Sequence, residues 1–318
     1  MTENIYDIVI LGSGPAGLTA GIYAVRAGHK TLLVAGIRWG GQLMLTTLVE
    51  NFPGFPEGIQ GPDLMMNMRK QAERLGVEVV NADFDEADFS KKPFKVTADG
   101  KIYEAKSVII ATGADSIWLN VPGEMQLRGK GVSTCATCDA FFFRGRDVVV
   151  VGGGDSAMEE ALYLSNVCKS VTIIHRREQF RASKIMQERV FANPKIKVIW
   201  NKTITKYIGT DKVTGVSLKD TKIGKEEEFK TDGVFVAIGH KPNTDKFKGI
   251  ELDVKGYVQK REVKDKSGLI SFKSAASVPG VFVSGDVHDT TYRQAITAAG
   301  FGCMAALDAD RWLGEQTS

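Results

Sequence analysis

Two segments of the chain follow one plan. "YDIVILGSGPAGLTAGIYAVRAG" (residues 6–28) and "RDVVVVGGGDSAMEEALYLSNV" (residues 146–167) each run from a short β-branched stretch through a G-x-G-x-x-G/A frame into an apolar-periodic stretch of helical length. The frames are Gly12, Gly14, Gly17 and Gly152, Gly154, Ala157. In this context the spacing has a mechanism: the first Gly makes a tight turn, the second lets backbone approach a pyrophosphate, and the third position must be small so that helix and strand can pack. The N–H groups at the helix start then face the phosphates. One such match is weak, because Gly-rich turns are common. Two in matching contexts predict an α/β chain with two Rossmann-like three-layer nucleotide-binding domains, each with its own dinucleotide. "VIIATGAD" (108–115) and "GVFVAIGHKPNT" (233–244) echo each other in the same way, each a strand ending in a small-residue turn.

The strand after each frame separates the two sites. In the second unit it is "VTIIHRREQFRAS". A NAD site carries an acid about 20 residues past the frame to accept from the ribose 2′-OH. Here His175, Arg176 and Arg177 stand at that place, with Arg181 a turn later. Arginines suit a 2′-phosphate, so the second site reads as NADPH, with a solvated basic face as the alternative. In the first unit "TLLVAG" (31–36) ends in neither acid nor arginine, and the partner of the adenosine ribose stays unassigned. It runs into "GIRWGGQL", whose Gly36, Gly40 and Gly41, with Gln42, can follow a large ligand through backbone. Near the C-terminus the apolar run 281–284 ends in Gly285 and Asp286. An acid at a buried strand tip can accept from a polyol hydroxyl, or serve only as a turn or cap.

Composition excludes several classes. The 318 residues, 43% hydrophobic and 25% charged, suit two domains with cores of their own. A net charge of +3 gives no electrostatic case for nucleic acid or a membrane surface. The apolar runs are strand-sized, far below a membrane span, and "MTENIYDIVI" leaves no room for a leader. A cytoplasmic setting is expected, where structural disulfides are rare.

That setting bears on "STCATCDAFFF" (133–143), which holds two of the four cysteines. Cys135 and Cys138 could bind zinc, staple the chain or do redox chemistry. Zinc needs about four ligands, and the other cysteines, Cys168 and Cys303, and the four scattered histidines form no cluster; no metal is expected. The compartment disfavours a staple. A redox pair remains, with one thiol acidified and Asp139 beside it to exchange protons. Phe141–Phe143 read as core, as do the thiols of Cys168 and Cys303. His175 reads as packing beside a nucleotide phosphate, not as a base.

Together, "GSGPAG", "GGQL", "ENFPG", "ATGA", "CATCD", "GGGDSAMEEALYL", "HRR…FRAS", "AIGHKPNT", "GDV" and "YRQAITAAG…CMAALDA" occur in an order similar to that of the low-molecular-weight NADPH-dependent thioredoxin reductases, over essentially the whole chain. "CATCD" ahead of the second Gly-rich turn, with "YRQA" near the end, is the specific part. The resemblance implies FAD on the first domain, its pyrophosphate over Gly12, Ser13, Gly14, Pro15, Ala16 and Gly17. It places Gly36, Gly41, Gln42 and Asn51 toward the cofactor, with Ala111, Thr112 and Gly113 nearby. Gly285 and Asp286 would meet the ribityl chain, and Arg293, Gln294 and Ala295 the ring. On the second domain it implies NADPH at Gly152, Gly154, Asp155, Ser156, Ala157, His175, Arg176, Arg177, Arg181, Ile238 and Gly239.

The resemblance further implies a FAD-binding domain of residues 1–117 and 247–318, interrupted by an NADPH-binding domain of residues 118–246 that carries the cysteines. Electrons would pass from NADPH by way of FAD to the Cys135–Cys138 disulfide and then to thioredoxin, with rotation of the inserted domain between half-reactions. Cys138 would face the flavin and Cys135 attack the partner, in a homodimer. A relative with another disulfide acceptor, or an electron carrier like ferredoxin–NADP reductase, is the alternative. The stretch 257–278 is longer than the resemblance leads one to expect and reads as a surface hairpin.

Overall fold

Ile8–Leu11 and Val148–Val151 are buried on both faces, as strands at the centre of a parallel sheet must be. They anchor two separate sheets. The computed structural model describes residues 5–261, 263–264 and 270–317. Its chain forms one compact unit from residues up to Asp115 and from Lys241 onward, and a second from Ser116 to His240.

In the first unit Glu78–Val80, Thr31–Val34, Ile5–Leu11 and Lys101–Ile110 lie parallel in that order. Strand Lys101–Ile110 divides the sheet. Its first half pairs antiparallel with Phe94–Ala98, while Val108–Ile110 pair in parallel with Val281–Val283. Helices Pro15–Arg26 and Ala295–Thr317 contribute to one core, which also buries Ile8, Ile10, Ile109 and Phe282. The other face, with Val9, Leu11, Val108 and Ile110, packs with Phe89, Phe94 and Val96 of the antiparallel arm.

In the second unit five strands are parallel, in the order Val132–Ser133, Gly233–Ala237, Asp147–Gly152, Ser170–His175, Ile196–Trp200. Helices Asp155–Val167 and Lys184–Ala192 share a core with Val148, Val150, Ile173 and Phe235. The alternate residues Val149, Val151, Val234 and Val236 pack with Ile204, Val216 and Leu218 of an antiparallel three-stranded sheet. The period of two along each strand thus sends successive side chains into two different cores.

The chain crosses between the units twice, and Ala114–Ser116 and His240–Pro242 form a two-stranded ladder there. Just past the first crossing, buried Glu124 accepts from the N–H groups of Leu119 and Asn120 (3.1 and 2.8 Å) and from the Tyr207 hydroxyl (3.1 Å). Arg128 lies 3.6 Å from the same carboxylate and stacks on Trp118. A buried carboxylate is tolerated when it is paired and hydrogen-bonded in this way. Among the described residues no helix is long and apolar enough to cross a membrane.

The stretch expected as a surface hairpin is only partly so. Val263–Lys264 pair antiparallel with Ile270–Phe272, but Phe272 is buried against Phe282 in the helical core. Residues 265–269 lie outside the described residues.

The helix after the first Gly-rich turn packs backbone to backbone. A Cβ at Gly17 would overlap the carbonyl group of Gly12. Gly300, in the C-terminal helix, has open space at the same place. Gly17→Ala should therefore destabilise the apoprotein by about 1–3 kcal/mol or more, and Gly300→Ala should be neutral or stabilise it by up to about 1 kcal/mol. Urea unfolding of both variants checks this; equal midpoints would show that the corner is not tightly packed.

Candidate functional site

The first Gly-rich turn lies at the C-terminal ends of the parallel strands, where open α/β sheets bind ligands. Gly12 N–H donates to the Val34 carbonyl (2.9 Å). Ser13 turns inward instead of toward a ligand: its hydroxyl donates to the Ala35 carbonyl (2.6 Å) and accepts from Gly40 N–H (2.9 Å). That pair of bonds ties the loop containing Gly36, Gly40 and Gly41 to the turn. A Cβ on Gly41 would sit 3.5 Å from the Gly14 Cα, so the two Gly-rich loops face each other closely. Helix Pro15–Arg26, with Pro15 and Ala16 in its first turn, has no side-chain cap, and space beside Gly14 is open. Its first N–H groups are free for an anion.

Around this turn the fold gathers residues distant in sequence. Thr112 donates to the Asn243 carbonyl (2.7 Å), Asn243 Nδ2 donates back to the Thr112 carbonyl (3.1 Å), and Asn243 N–H donates to Gly113 (3.0 Å). Nothing in "KPNT" marks Asn243 in the sequence; its place beside Thr112 emerges only from this pairing. Ala111 N–H donates to the Leu11 carbonyl (2.8 Å), which holds 111–113 beside the turn. Gln42 Nε2 donates to Asp115 (2.7 Å), and Asn51 Nδ2 donates to Gln294 Oε1 (3.3 Å).

Past strand Val281–Val283, Gly285 and Asp286 sit in a short 3₁₀ turn. No described group donates a hydrogen bond to Asp286. Burial, with the charge of Asp289 added, pushes its carboxyl up to about 6. Asp289, overlooked in sequence, accepts from the N–H groups of Thr291, Tyr292 and Arg293 (2.9 Å each). These bonds hold Arg293 in the left-handed region (φ 49°) at the entrance to the helix that begins at Ala295. Arg293 Nη2 lies 3.4 Å from the Tyr257 hydroxyl, and its Nε is buried without a partner. An underused carboxylate, an orphaned guanidinium nitrogen and an uncapped helix beside an open Gly fit a ligand with a pyrophosphate, a polyol and hydrogen-bond acceptors, as FAD has.

The second Gly-rich turn repeats the arrangement. Space beside Gly154 is open, and helix Asp155–Val167 lacks a side-chain cap at its own start. Ala157 is buried under the turn, and Ser156 is exposed. Ile238 and Gly239 follow strand Gly233–Ala237, which pairs directly with Asp147–Gly152. His175 is buried, its Nε2 3.1 Å from the Gln179 carbonyl, and a Cβ on Gly153 would overlap its ring. Burial lowers its pKa, opposed by hydrogen bonds to the Gly152 and Gln179 backbone and helped by the neighbouring arginines. Arg176, Arg177 and Arg181 are exposed. Their loop is fixed through backbone: Thr221 donates to the Arg176 carbonyl, Asn201 N–H to the Arg177 carbonyl, and Arg181 N–H to Gly153 (2.7 Å). Exposed arginines on a pinned loop beside an open, uncapped turn fit the 2′-phosphate of NADPH. Asp155 departs from the expected ligand contact. One of its oxygens accepts both Ser183 N–H and Ser183 Oγ–H (2.8 Å each).

Cys135 and Cys138 are joined as a disulfide, with Cα atoms 5.3 Å apart. Helix Ala136–Asp139 is a single turn with Cys135 at its N-cap. Cys138 N–H donates to Cys135 Sγ (3.2 Å), and Thr137 Oγ1 lies 3.3 Å from the same sulfur. Cys138 is exposed and Cys135 half-buried. Burial raises the pKa of Asp139, opposed by a Ser133 hydrogen bond. Its carboxyl therefore keeps a proton to higher pH than an ordinary aspartic acid.

Two expectations need correction here. Only Phe143 packs inside, edge-on to Phe235 at 5.3 Å. Phe141 and Phe142 are 60% and 43% exposed, because 140–143 form a 3₁₀ turn, not a strand entry. Cys168 is buried, its thiol pushed up to about 11, but Cys303 is only half-buried.

Comparison with known proteins places this arrangement. The model of the pyridine nucleotide-disulphide oxidoreductases matches residues 6–302. A thioredoxin reductase of Mycolicibacterium smegmatis is 52% identical, over 99% of each chain. The bifunctional thioredoxin reductase/thioredoxin of Mycobacterium leprae is 50% identical over 98% of this chain and 67% of its own. The structure of a thioredoxin reductase from Giardia duodenalis superposes with a TM-score of 0.91 at 42% identity, covering 98% of this chain and all of its own. The chain belongs to the pyridine nucleotide-disulphide oxidoreductase family, among its thioredoxin reductases.

Proposed function

We propose that the chain is an NADPH-dependent thioredoxin-disulfide reductase that uses FAD, works in the cytoplasm and assembles as a homodimer. The observation that carries the reaction is the Cys135–Cys138 disulfide, partly exposed and set in the same compact unit as the arginine-bearing Gly-rich turn. The relative that joins a thioredoxin to its reductase in one name supports the partner. Bound NADPH and FAD would supply two electrons. Residues 12–17, Gly36, Gly41, Gln42, Asn51, 111–113, Gly285, Asp286 and Arg293–Ala295 would hold FAD. Gly152, Gly154, Ser156, Ala157, Arg176, Arg177, Arg181, Ile238 and Gly239 would hold NADPH.

The chain's own chemistry is thiol exchange. The disulfide takes up two electrons and two protons to become a dithiol, and Asp139, whose raised pKa lets it carry a proton, is placed to exchange one. Cys135 then attacks the partner disulfide as a thiolate. One partner sulfur leaves as a thiol, and Cys138 displaces the other from the mixed disulfide. The partner gains two electrons and two protons, and Cys135–Cys138 is restored. The N–H of Cys138 stabilises negative charge on Cys135 Sγ. Phe141 and Phe142, exposed in the turn after Asp139, offer an apolar surface to a protein substrate.

The residues that would hold NADPH and the disulfide share one unit, and those that would hold FAD belong to the other. On this reading the unit of residues 116–240 would offer the two in turn, rotating at the two crossings.

Cys135→Ser and Cys138→Ser should each abolish reduction of oxidised thioredoxin while FAD remains bound and is still bleached by NADPH. Steady-state turnover and the flavin absorbance near the visible maximum read the two halves separately; reduction of a protein disulfide by either variant would overturn the dithiol mechanism. Arg176→Ala combined with Arg177→Ala should raise KM for NADPH roughly tenfold or more and leave that for NADH nearly unchanged, since each lost charged hydrogen bond is worth about 1.5–3 kcal/mol. An unaltered NADPH preference would reduce the arginines to a solvated face. A covalent link that locks the two units together should stop multiple turnover yet permit one half-reaction, followed by stopped-flow absorbance; full turnover in the linked enzyme would exclude rotation.

A further inference from the structure

Asp155 stands in an unfavourable place for a simple ligand contact. It is the first residue of helix Asp155–Val167, directly after the open Gly154. A carboxylate there competes with a phosphate for the same partial positive charge. Its contacts resolve the conflict. One oxygen of Asp155 accepts two hydrogen bonds from a single residue, Ser183, through the backbone N–H and the hydroxyl, both 2.8 Å.

Ser183 is also out of the ordinary. It is the N-cap residue of helix Lys184–Ala192, yet it makes no side-chain cap bond to that helix. Such a bond ordinarily stabilises the start of a helix. The hydroxyl is committed to Asp155 instead. The bond spans 28 residues and joins the start of one helix to the start of the next.

Between these two points lies the arginine loop. Its entrance is held at the carbonyls of Arg176 and Arg177 by Thr221 and Asn201, and its middle by Phe180, which packs 4.3 Å from the Trp200 ring. Its exit is held by Arg181 N–H and Ala182 N–H on the Gly153 carbonyl, and then by Ser183 on Asp155. Arg181 stands two residues before the Asp155 tie. The backbone that carries its guanidinium is thus moored to the very turn over which a pyrophosphate would lie.

We propose that Asp155 is a positioning residue for coenzyme choice. Through Ser183 it fixes the arginine loop against the second Gly-rich turn, so that Arg181, with Arg176 and Arg177, is set to receive a 2′-phosphate. The inference rests on the reading of this turn as the NADPH site and adds the residue that enforces the preference.

Charge and tether make opposite predictions. If Asp155 acted only as a charge beside the helix start, removing it would tighten binding of every phosphate ligand. If it acts as a tether, removing it weakens only ligands that carry a 2′-phosphate. The test is equilibrium binding to the holoenzyme by isothermal titration calorimetry, with 2′,5′-ADP and 5′-AMP as probes. The wild type should prefer 2′,5′-ADP. Asp155→Ala and Ser183→Ala should each lower that preference, Asp155→Ala by roughly tenfold, the size set by losing the acceptor of both Ser183 hydrogen bonds. Asp155→Asn keeps an acceptor oxygen for Ser183 and should hold the preference within about threefold of wild type. Circular dichroism melts establish that each variant is folded, and Ser183→Ala, which removes one hydroxyl from an exposed position, serves should Asp155→Ala fail to fold. An unchanged preference in folded Asp155→Ala, or in Ser183→Ala where that is the variant available, would overturn the inference alone, as would an Asp155→Asn as impaired as Asp155→Ala. A wild type that binds both probes equally would overturn the NADPH reading, and this inference with it.

Discussion

Each Gly-rich corner brings a helix onto a strand at backbone distance, and the rest of each unit is organised around that contact. At Gly17 the neighbour of the missing side chain is the Gly12 carbonyl, and at Gly152 it is the Ala237 carbonyl together with the Ala157 methyl. Nothing larger than the residues present fits without moving backbone. The close approach brings the uncapped helix start to the tips of the central strands, and there strand-end residues from distant parts of the chain converge: Ala111–Gly113 and Gly285–Asp286 in one unit, Ala237–Gly239 and His175–Arg177 in the other. A tight steric constraint at one glycine thereby fixes where an anion is received and which side chains surround it.

The two units then diverge in what they add to the same corner. The first adds buried, unsatisfied polarity: Asp286 without a described donor and Arg293 with an orphaned Nε. A buried group left in that condition costs free energy, so a ligand that completes the hydrogen bonds is held strongly. The second adds exposed positive charge on a loop whose backbone is fixed. Exposed guanidinium groups cost little to leave unpaired, and pinning the loop lowers the entropy lost when a phosphate is bound. The first strategy suits a cofactor that stays, the second a coenzyme that must leave each cycle.

Much of this was legible in the sequence because it depends on local rules. The β-branched runs, the Gly spacing and the helical periodicity specify both corners without reference to the rest of the chain, and a basic run in place of an acid separates the two sites. The cysteine pair followed from spacing and compartment. What stayed illegible depends on pairing across long separations or on local burial. Asn243 acquires meaning only when it faces Thr112, 131 residues away. Ser13 looks like a phosphate ligand in the motif, yet it spends both hydrogen-bonding directions on the next loop. Three consecutive phenylalanines look like core, and only the 3₁₀ turn at 140–143 shows that two of them face solvent.

Asp155 illustrates the general reason. In the motif it stands among positions expected to meet a phosphate, so sequence alone groups it with them. The structure shows an acid whose bonding is directed sideways, to Ser183 on the next helix. The distinction matters because a motif residue can be present for the ligand or for the residues that hold the ligand, and the two respond differently to substitution. Removing a contact weakens binding in proportion to that contact. Removing a tether loosens a loop whose other moorings persist, so affinity for the common part of the ligand survives while discrimination is lost. On the proposed reading, Asp155 and Ser183 are of the second kind and Arg176, Arg177 and Arg181 of the first, a division that rests on where one carboxylate oxygen points.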